Sequence, residues 1–117
     1  MSVADEEREA WRGLFERYAD AYPEEANLLE RLWMGELPEG WEDVLPTFAA
    51  SDGPIATRKA SGRVLNAIAG ELPTMVGGSA DLAPSNKTML DGYDGFQADS
   101  PGGRNIHFGV REHAMGG

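Results

Sequence analysis

The sequence has 117 residues, a formal net charge of −10 and no cysteine. This length predicts one domain with a real core, and the acidity argues against nucleic-acid binding, because contact with a phosphate backbone depends on clustered Lys and Arg. The lack of cysteine excludes disulfides and zinc–thiolate sites and fits a cytoplasmic protein. The N-terminus is acidic, unlike a signal peptide, and no apolar run approaches the roughly 20 residues of a membrane span. We therefore expect a soluble, cytoplasmic protein.

The acidity is unevenly distributed along the chain. Residues 1–50 hold thirteen Asp and Glu against four Arg, whereas residues 51–117 hold seven against six basic residues. The first segment has the composition of a solvated helical surface. The second is nearly neutral and rich in glycine, which suits a backbone that must approach a ligand closely.

Two helices are predicted in the acidic segment. Aromatic and apolar residues recur at helical spacing over residues 3–22, with Ser2 and Asp5 as a capping pair at the start. Pro23 suits the first turn of a second helix, and Gly35 is expected to end it.

A connector follows and marks the predicted domain boundary. Prolines and isolated apolar residues over 36–53 indicate an extended segment, so residues 1–53 are assigned to a helical inter-domain segment with its connector. Residues 54–117 are assigned to the first part of the one predicted domain. Thr57 is predicted to cap a third helix that runs to about Leu72.

Two short apolar runs predict buried strands. Thr74–Gly77 is the first and Asn105–Phe108 the second, and each is followed by a glycine. A long polar loop separates them. The order of helix, strand, loop, strand and helix start predicts the α/β class, with a parallel sheet covered by helices.

Polar residues follow both predicted strands, where open α/β folds bind ligands. Glu112 stands at the start of the last helix, and Asp81 lies in a glycine-flanked turn after the first strand. Taken alone, the glutamate is a favourable partner for the helix dipole and the aspartate a turn former. His107 and His113 do not have a recognised metal-ligand spacing and are interpreted as structural.

Two motifs carry a family resemblance. Residues 77–86 read GGSADLAPSN and residues 108–115 read FGVREHAM. Together they closely resemble the middle of a transketolase, strongly over residues 55–117 and more loosely over residues 11–48. The resemblance implies an incomplete thiamine-diphosphate-binding domain of the pyrimidine type, with parallel strands, preceded by the acidic helical segment.

The resemblance also implies roles for four residues. Glu112 falls on the catalytic glutamate that hydrogen-bonds N1′ of the cofactor's aminopyrimidine, and burial against that ring is expected to outweigh the helix dipole and favour its protonated form. Asp81 falls on the aspartate near the cofactor's thiazolium. Arg58 and Ser85 match the positions that hold the terminal phosphate of the sugar substrate.

A complete transketolase transfers a two-carbon ketol unit from a ketose phosphate to an aldose phosphate, in the pentose phosphate pathway, as a homodimer. It uses thiamine diphosphate with Mg²⁺ or another divalent cation, bound through a Gly-Asp-Gly segment of a separate domain that this sequence lacks. We therefore expect a truncated fragment, inactive by itself, with no metal site of its own. A dihydroxyacetone synthase fragment and a non-catalytic binding module derived from this domain are the alternatives.

Overall fold

The structure, a computed structural model, describes residues 3–117 apart from the side chain of Met115. Ser2, and with it the predicted cap of the first helix, lies outside the described residues. The chain divides into two compact units, the first ending at Leu37 and the second running Pro38–Gly117. The functional domain boundary after residue 53 stays a prediction. Within the described residues, no helix is long and apolar enough to cross a membrane.

The first unit is a pair of helices, as the sequence predicts. Helix α1 runs Val3–Ala21 and helix α2 runs Pro23–Met34, with Pro23 in the first turn of α2. Gly35 ends α2 in the left-handed conformation, at φ 71°, and its N–H group donates to the carbonyl of Leu32. Glycine adopts this conformation without the steric penalty that a Cβ brings, which explains why the helix ends there.

Aromatic rings join the two helices of this unit. The ring centroids of Trp11 and Trp33 are 5.6 Å apart, and those of Phe15 and Trp33 are 5.4 Å apart. Trp11 also stacks on Phe15 at 5.4 Å with the ring planes 6° apart. The rings thus contact one another between the two helices, as the helical spacing of the aromatic residues predicts, while Trp11 and Trp33 each stay about half exposed.

The second unit is built from short elements. Two 3₁₀ turns, Trp41–Val44 and Ala50–Asp52, lie in the predicted connector and precede helix α3, Thr57–Ala69. The remaining elements are strand β1 at Gly77–Ser79, helix α4 at Ala83–Asn86, strand β2 at Asn105–His107 and helix α5 at Glu112–Gly116.

The two strands pair in parallel, which confirms the predicted α/β class. Gly77 lies opposite Asn105, and Ser79 lies opposite His107. At the middle position a Cβ on Gly78 would collide with the carbonyl oxygen of Ile106, so the close approach of the strands requires glycine there.

Three element boundaries predicted from the sequence are wrong. Ala56, rather than Thr57, occupies the cap position of α3, no side chain caps it, and the helix ends at Ala69. The first strand begins at Gly77 rather than at residue 74. The reason is that the carbonyl of Met75 accepts a hydrogen bond from the Arg104 side chain, and strand-type pairing starts only where the N–H group of Gly77 donates to the Arg104 carbonyl.

Arg104 is the central polar residue of this unit and is 7% exposed. Its guanidinium donates to three carbonyls, those of Met75 at 2.8 Å, Ala69 at 2.9 Å and Leu72 at 2.6 Å. The same group lies 4.1 Å from the centroid of the Tyr93 ring. One side chain therefore ties the carboxyl end of α3, the segment before β1 and the long loop to the start of β2.

Asparagine side chains hold the long loop between α4 and β2. Asn105, 2% exposed, accepts from the N–H group of Leu90 at 2.8 Å and donates to the carbonyls of Leu90 and Tyr93 at 2.9 and 2.7 Å. Asn66 on α3 donates to the carbonyl of Met89 and accepts from the N–H group of Asp91. The loop thus obtains part of its hydrogen bonds from side chains. At Asp94 and Phe96 it also pairs with the backbone of residues 104 and 105.

We expect Arg104→Ala to lower the free energy of unfolding of the second unit by about 2–4 kcal/mol, because three carbonyls lose a charged donor. Arg104→Lys should recover only part of this loss, since an ammonium cannot span the three acceptors as the guanidinium fork does. Urea unfolding measures both effects. The matched control is Arg63→Ala, which removes an exposed arginine of α3; a midpoint for Arg104→Ala equal to that of this control would contradict the prediction.

Candidate functional site

A cavity of about 330 Å³ lies at the carboxyl ends of the two strands. The last residues of the strands, Ser79 and His107, line it together with Asp81 and Gly109 from the turns that follow each strand. Met89 is among its apolar lining residues. Open α/β folds bind ligands at this edge of the sheet, so the cavity is the candidate site.

Asp81 is held beside this cavity in an uncommon backbone conformation. Its φ is 61°, in the left-handed region, and its N–H group donates to the carbonyl of Ser79 at 2.9 Å. Among residues with a Cβ, Asp and Asn tolerate this region best. The carboxylate is exposed and follows β1 directly, as the sequence predicts. The turn therefore places one negative charge at the rim of the cavity.

Ser79 contributes a feature that the sequence analysis missed. Its hydroxyl oxygen is buried and, among the described residues, has no hydrogen-bond partner. The residue lies inside the GGSADL motif, yet a serine in a short strand has no pattern that distinguishes it from a packing residue. Only the three-dimensional structure shows that its hydroxyl is unsatisfied.

His107, which the sequence predicts to be structural, lines the cavity. It is the β2 residue opposite Ser79, and its side chain is exposed. A Cβ built on Gly95 would lie 3.4 Å from its Nε2 atom, so the long loop passes close to the ring. The imidazole is thus available to a ligand in the cavity.

Glu112 is the first residue of α5 and its side chain is exposed. Gly109, at φ 65°, forms the turn that leads from β2 towards this helix and lines the cavity. The structure confirms that Glu112 stands at a helix start just beyond the strand edge. Glu112 does not line the cavity. It follows three residues after Gly109, which does.

Arg58 and Ser85 lie on two helices, of which α4 contributes Ala83 and Pro84 to the cavity lining and α3 does not line it. Arg58 is the second residue of α3 and Ser85 belongs to α4, and both side chains are exposed. The helices touch where a Cβ on Gly62 would come within 2.9 Å of the Lys87 backbone. Neither Arg58 nor Ser85 is among the residues that line the strand-edge cavity.

The chemistry of the cavity suits a partly apolar ligand with a positive charge. One carboxylate, one imidazole and one unsatisfied hydroxyl surround apolar groups such as Met89 and Ile106. In the part of the chain that the structure describes, no three His, Cys, Asp or Glu side chains are grouped so as to hold a metal ion. A metal-dependent ligand would need its cation to be bound by other residues.

Comparison with protein families gives a match over the second half of the chain. The family model described as "Transketolase, pyrimidine binding domain" matches residues 53–117. A transketolase from Halalkalibacterium halodurans is 50% identical over 111 residues, which cover 95% of this chain and 16% of that protein. A transketolase from Geobacillus stearothermophilus is 51% identical over 106 residues, which cover 91% of this chain and 16% of that protein.

Solved structures give the same result. The Pichia stipitis transketolase complex with sedoheptulose 7-phosphate superposes with a TM-score of 0.84 at 44% identity, over 96% of this chain and 17% of that chain. The Leishmania mexicana transketolase superposes with a TM-score of 0.83 at 44% identity, over 95% and 16% of the two chains. The chain thus spans about a sixth of the length of the proteins it matches.

The left-handed conformation at residue 81 predicts an order of stabilities. Asp81→Ala should lower the free energy of unfolding by about 1 kcal/mol, because alanine tolerates positive φ poorly, whereas Asp81→Asn should stay within about 0.5 kcal/mol of the parent. Urea unfolding of the two variants measures the difference. Asp99→Ala, at an exposed position that does not have a positive φ, is the control, and equal stability of all three would contradict the prediction.

Proposed function

The chain belongs to the transketolase family, and from this premise we propose that it forms the pyrimidine-binding side of an enzyme that transfers a two-carbon ketol unit from a ketose phosphate to an aldose phosphate. The resemblance inferred from the GGSADLAPSN and FGVREHAM motifs is confirmed by the family match. The observation that carries the proposal is the cavity where the turns after both strands, one from each motif, meet at the carboxyl edge of the sheet.

Membership in this family implies thiamine diphosphate as the cofactor. When bound, thiamine diphosphate supplies an acidic carbon at C2 of its thiazolium ring and an electron sink for the two-carbon unit. The orphaned hydroxyl of Ser79, the carboxylate of Asp81 and the apolar lining of the cavity fit such a group, which combines a positive ring with apolar surface. The proposal is therefore compatible with the donor set of the cavity.

Glu112 is proposed to hold a proton at N1′ of the aminopyrimidine. A carboxyl group that a ring system covers is removed from water, which favours the protonated form needed for sharing that proton. In the described chain the side chain of Glu112 is exposed. The covering is proposed to come from the bound cofactor, which makes the role of Glu112 dependent on binding.

Asp81 is proposed to place its charge near the thiazolium, since its carboxylate lies at the cavity rim and its turn is held by a hydrogen bond to Ser79. Arg58 and Ser85 are proposed to bind the terminal phosphate of the sugar. A guanidinium and a hydroxyl are suitable hydrogen-bond donors to a phosphate, and α3 packs against the end of α4 where Gly62 approaches Lys87. These two residues act on substrate binding rather than on the cofactor.

Several further features remain proposals that rest on the family resemblance. We propose that Mg²⁺ or another divalent cation anchors the diphosphate through residues of a separate domain. We also propose that the enzyme works as a homodimer in the pentose phosphate pathway, that these 117 residues alone are inactive, and that the cysteine-free sequence acts in the cytoplasm. The relatives described above are transketolases, which favours this function over a dihydroxyacetone synthase or a non-catalytic module.

We predict that Glu112→Ala, in the polypeptide that carries this chain, suppresses proton exchange at C2 of bound thiamine diphosphate by at least about 10²-fold, the usual scale for loss of a positioned acid or base. Exchange into deuterated water, followed by NMR, measures the rate directly. Glu71→Ala, which removes an exposed glutamate between α3 and β1, serves as the control. A normal exchange rate in the Glu112 variant would remove this residue from its proposed role.

Arg58→Ala is expected to raise KM for phosphorylated sugars by about 10- to 100-fold with little change in kcat, because one charged hydrogen-bonding partner of the phosphate is lost in ground and transition states alike. Steady-state kinetics with a phosphorylated and an unphosphorylated ketose measure the effect, which should be confined to the former. Lys59→Ala removes the adjacent exposed cation and is the matched control. An equal loss with both ketoses would refute the phosphate contact.

A further inference from the structure

The Ser79 hydroxyl differs from the other buried polar groups of its unit. The buried Arg104 guanidinium donates to three carbonyls, and the buried Asn105 amide makes three hydrogen bonds to the loop. Within the range that the structure describes, the Ser79 oxygen is the one buried side-chain polar atom without a partner. Since the other buried polar side chains of this unit have hydrogen-bond partners, the unpartnered hydroxyl of Ser79 requires an explanation.

The surroundings of Ser79 do not satisfy it from within the chain. The residue ends β1 opposite His107 of β2, and no hydrogen bond joins the two side chains. Leaving a buried hydroxyl without a partner costs free energy, because the group has given up its bonds to water. A ligand that offers a partner to this hydroxyl recovers that free energy on binding.

We propose that Ser79 is a cofactor-binding residue whose hydroxyl hydrogen-bonds thiamine diphosphate in the cavity at the carboxyl ends of β1 and β2. This inference rests on the proposed function and adds a residue to it. Ser79 lines the cavity, but its hydroxyl oxygen is buried in the described structure. The contact therefore requires the side chain to turn about its Cα–Cβ bond to another staggered position that faces the cavity. The hydroxyl, unsatisfied without ligand, is thus free to form a hydrogen bond with the cofactor.

The lining of the cavity favours the cofactor over the sugar phosphate as the partner of Ser79. The cavity contains Asp81 and the Gly109 turn that leads to Glu112, the two residues proposed to contact the cofactor. Arg58 and Ser85, proposed to hold the sugar phosphate, do not line it. Ser79 therefore belongs with the cofactor set and should affect cofactor affinity before it affects the KM for sugars.

The test combines stability and binding in the polypeptide that carries this chain. Ser79→Ala removes a hydroxyl that has no partner without ligand, so its unfolding temperature without cofactor should equal or exceed that of the parent. Its dissociation constant for thiamine diphosphate in the presence of Mg²⁺, measured by titration calorimetry, should rise by about 5- to 100-fold. Ser61→Ala, on an exposed position of α3, is the matched control and should change neither quantity.

A second pair of variants keeps the test decisive if Ser79→Ala does not fold. Ser79→Thr retains the hydroxyl and Ser79→Val replaces it with a methyl group of similar volume, so the threonine variant should bind the cofactor more tightly than the valine variant. Equal affinities within the pair, or an Ala variant that binds like the parent, overturn the inference. So does a lower unfolding temperature of Ser79→Ala without cofactor, since it assigns the hydroxyl a structural bond.

Failure of the proposed function gives a different result from failure of this inference. If the parent polypeptide does not bind thiamine diphosphate at all, the family-based proposal falls and the role of Ser79 falls with it. If the parent binds and the hydroxyl-free variants bind equally well, only the inference about Ser79 is overturned. The parent titration therefore separates the two.

Discussion

The guanidinium of Arg104 holds together segments that are about 30 residues apart in sequence. It donates to the carbonyls of Ala69, Leu72 and Met75, where α3 ends and the chain approaches β1, while its own backbone leads directly into β2. Carbonyls at a helix end have no partners within the helix and must find them elsewhere. Here the Arg104 side chain supplies the partner of the Ala69 carbonyl, and the Arg104 backbone carbonyl accepts from Gly77, where the pairing of the two strands begins.

The position of the candidate site follows from that arrangement. Once β1 and β2 lie side by side, their carboxyl ends meet, and the turns after them deliver Asp81 and Gly109 to one cavity. Asn105, which also lines the cavity, fixes the long loop between α4 and β2 through its hydrogen bonds to Leu90 and Tyr93. The strands are only three residues each, so buried side-chain hydrogen bonds, rather than an extended ladder, hold the site in place.

The sequence predicted the fold best where a local pattern decides the structure. Gly35 ends α2 because glycine accepts the left-handed conformation, and β2 begins at Asn105 as its apolar run indicates. The start of β1 was wrong because its backbone is engaged by Arg104, which lies 29 residues further along. The roles of Glu112 and Arg58 are implied only by the family resemblance, since Glu112 alone indicates a partner for the helix dipole and Arg58 alone a solvated helix residue. The unsatisfied hydroxyl of Ser79 depends on packing in three dimensions and has no sequence signal.

Hydrogen bonds hold the two ends of the long loop between α4 and β2, while its middle is exposed. Leu90 and Tyr93 are bound by Asn105, and the carbonyl of Asp94 accepts from the N–H groups of residues 104 and 105. Beyond these points, Gln97 and Ser100 pair with each other across a turn formed by exposed residues. Lengthening that turn costs only the slowly growing entropy of closing a longer loop. A reporter peptide inserted between residues 98 and 99, or a dye attached there, should therefore leave the pairing of β1 and β2 unchanged.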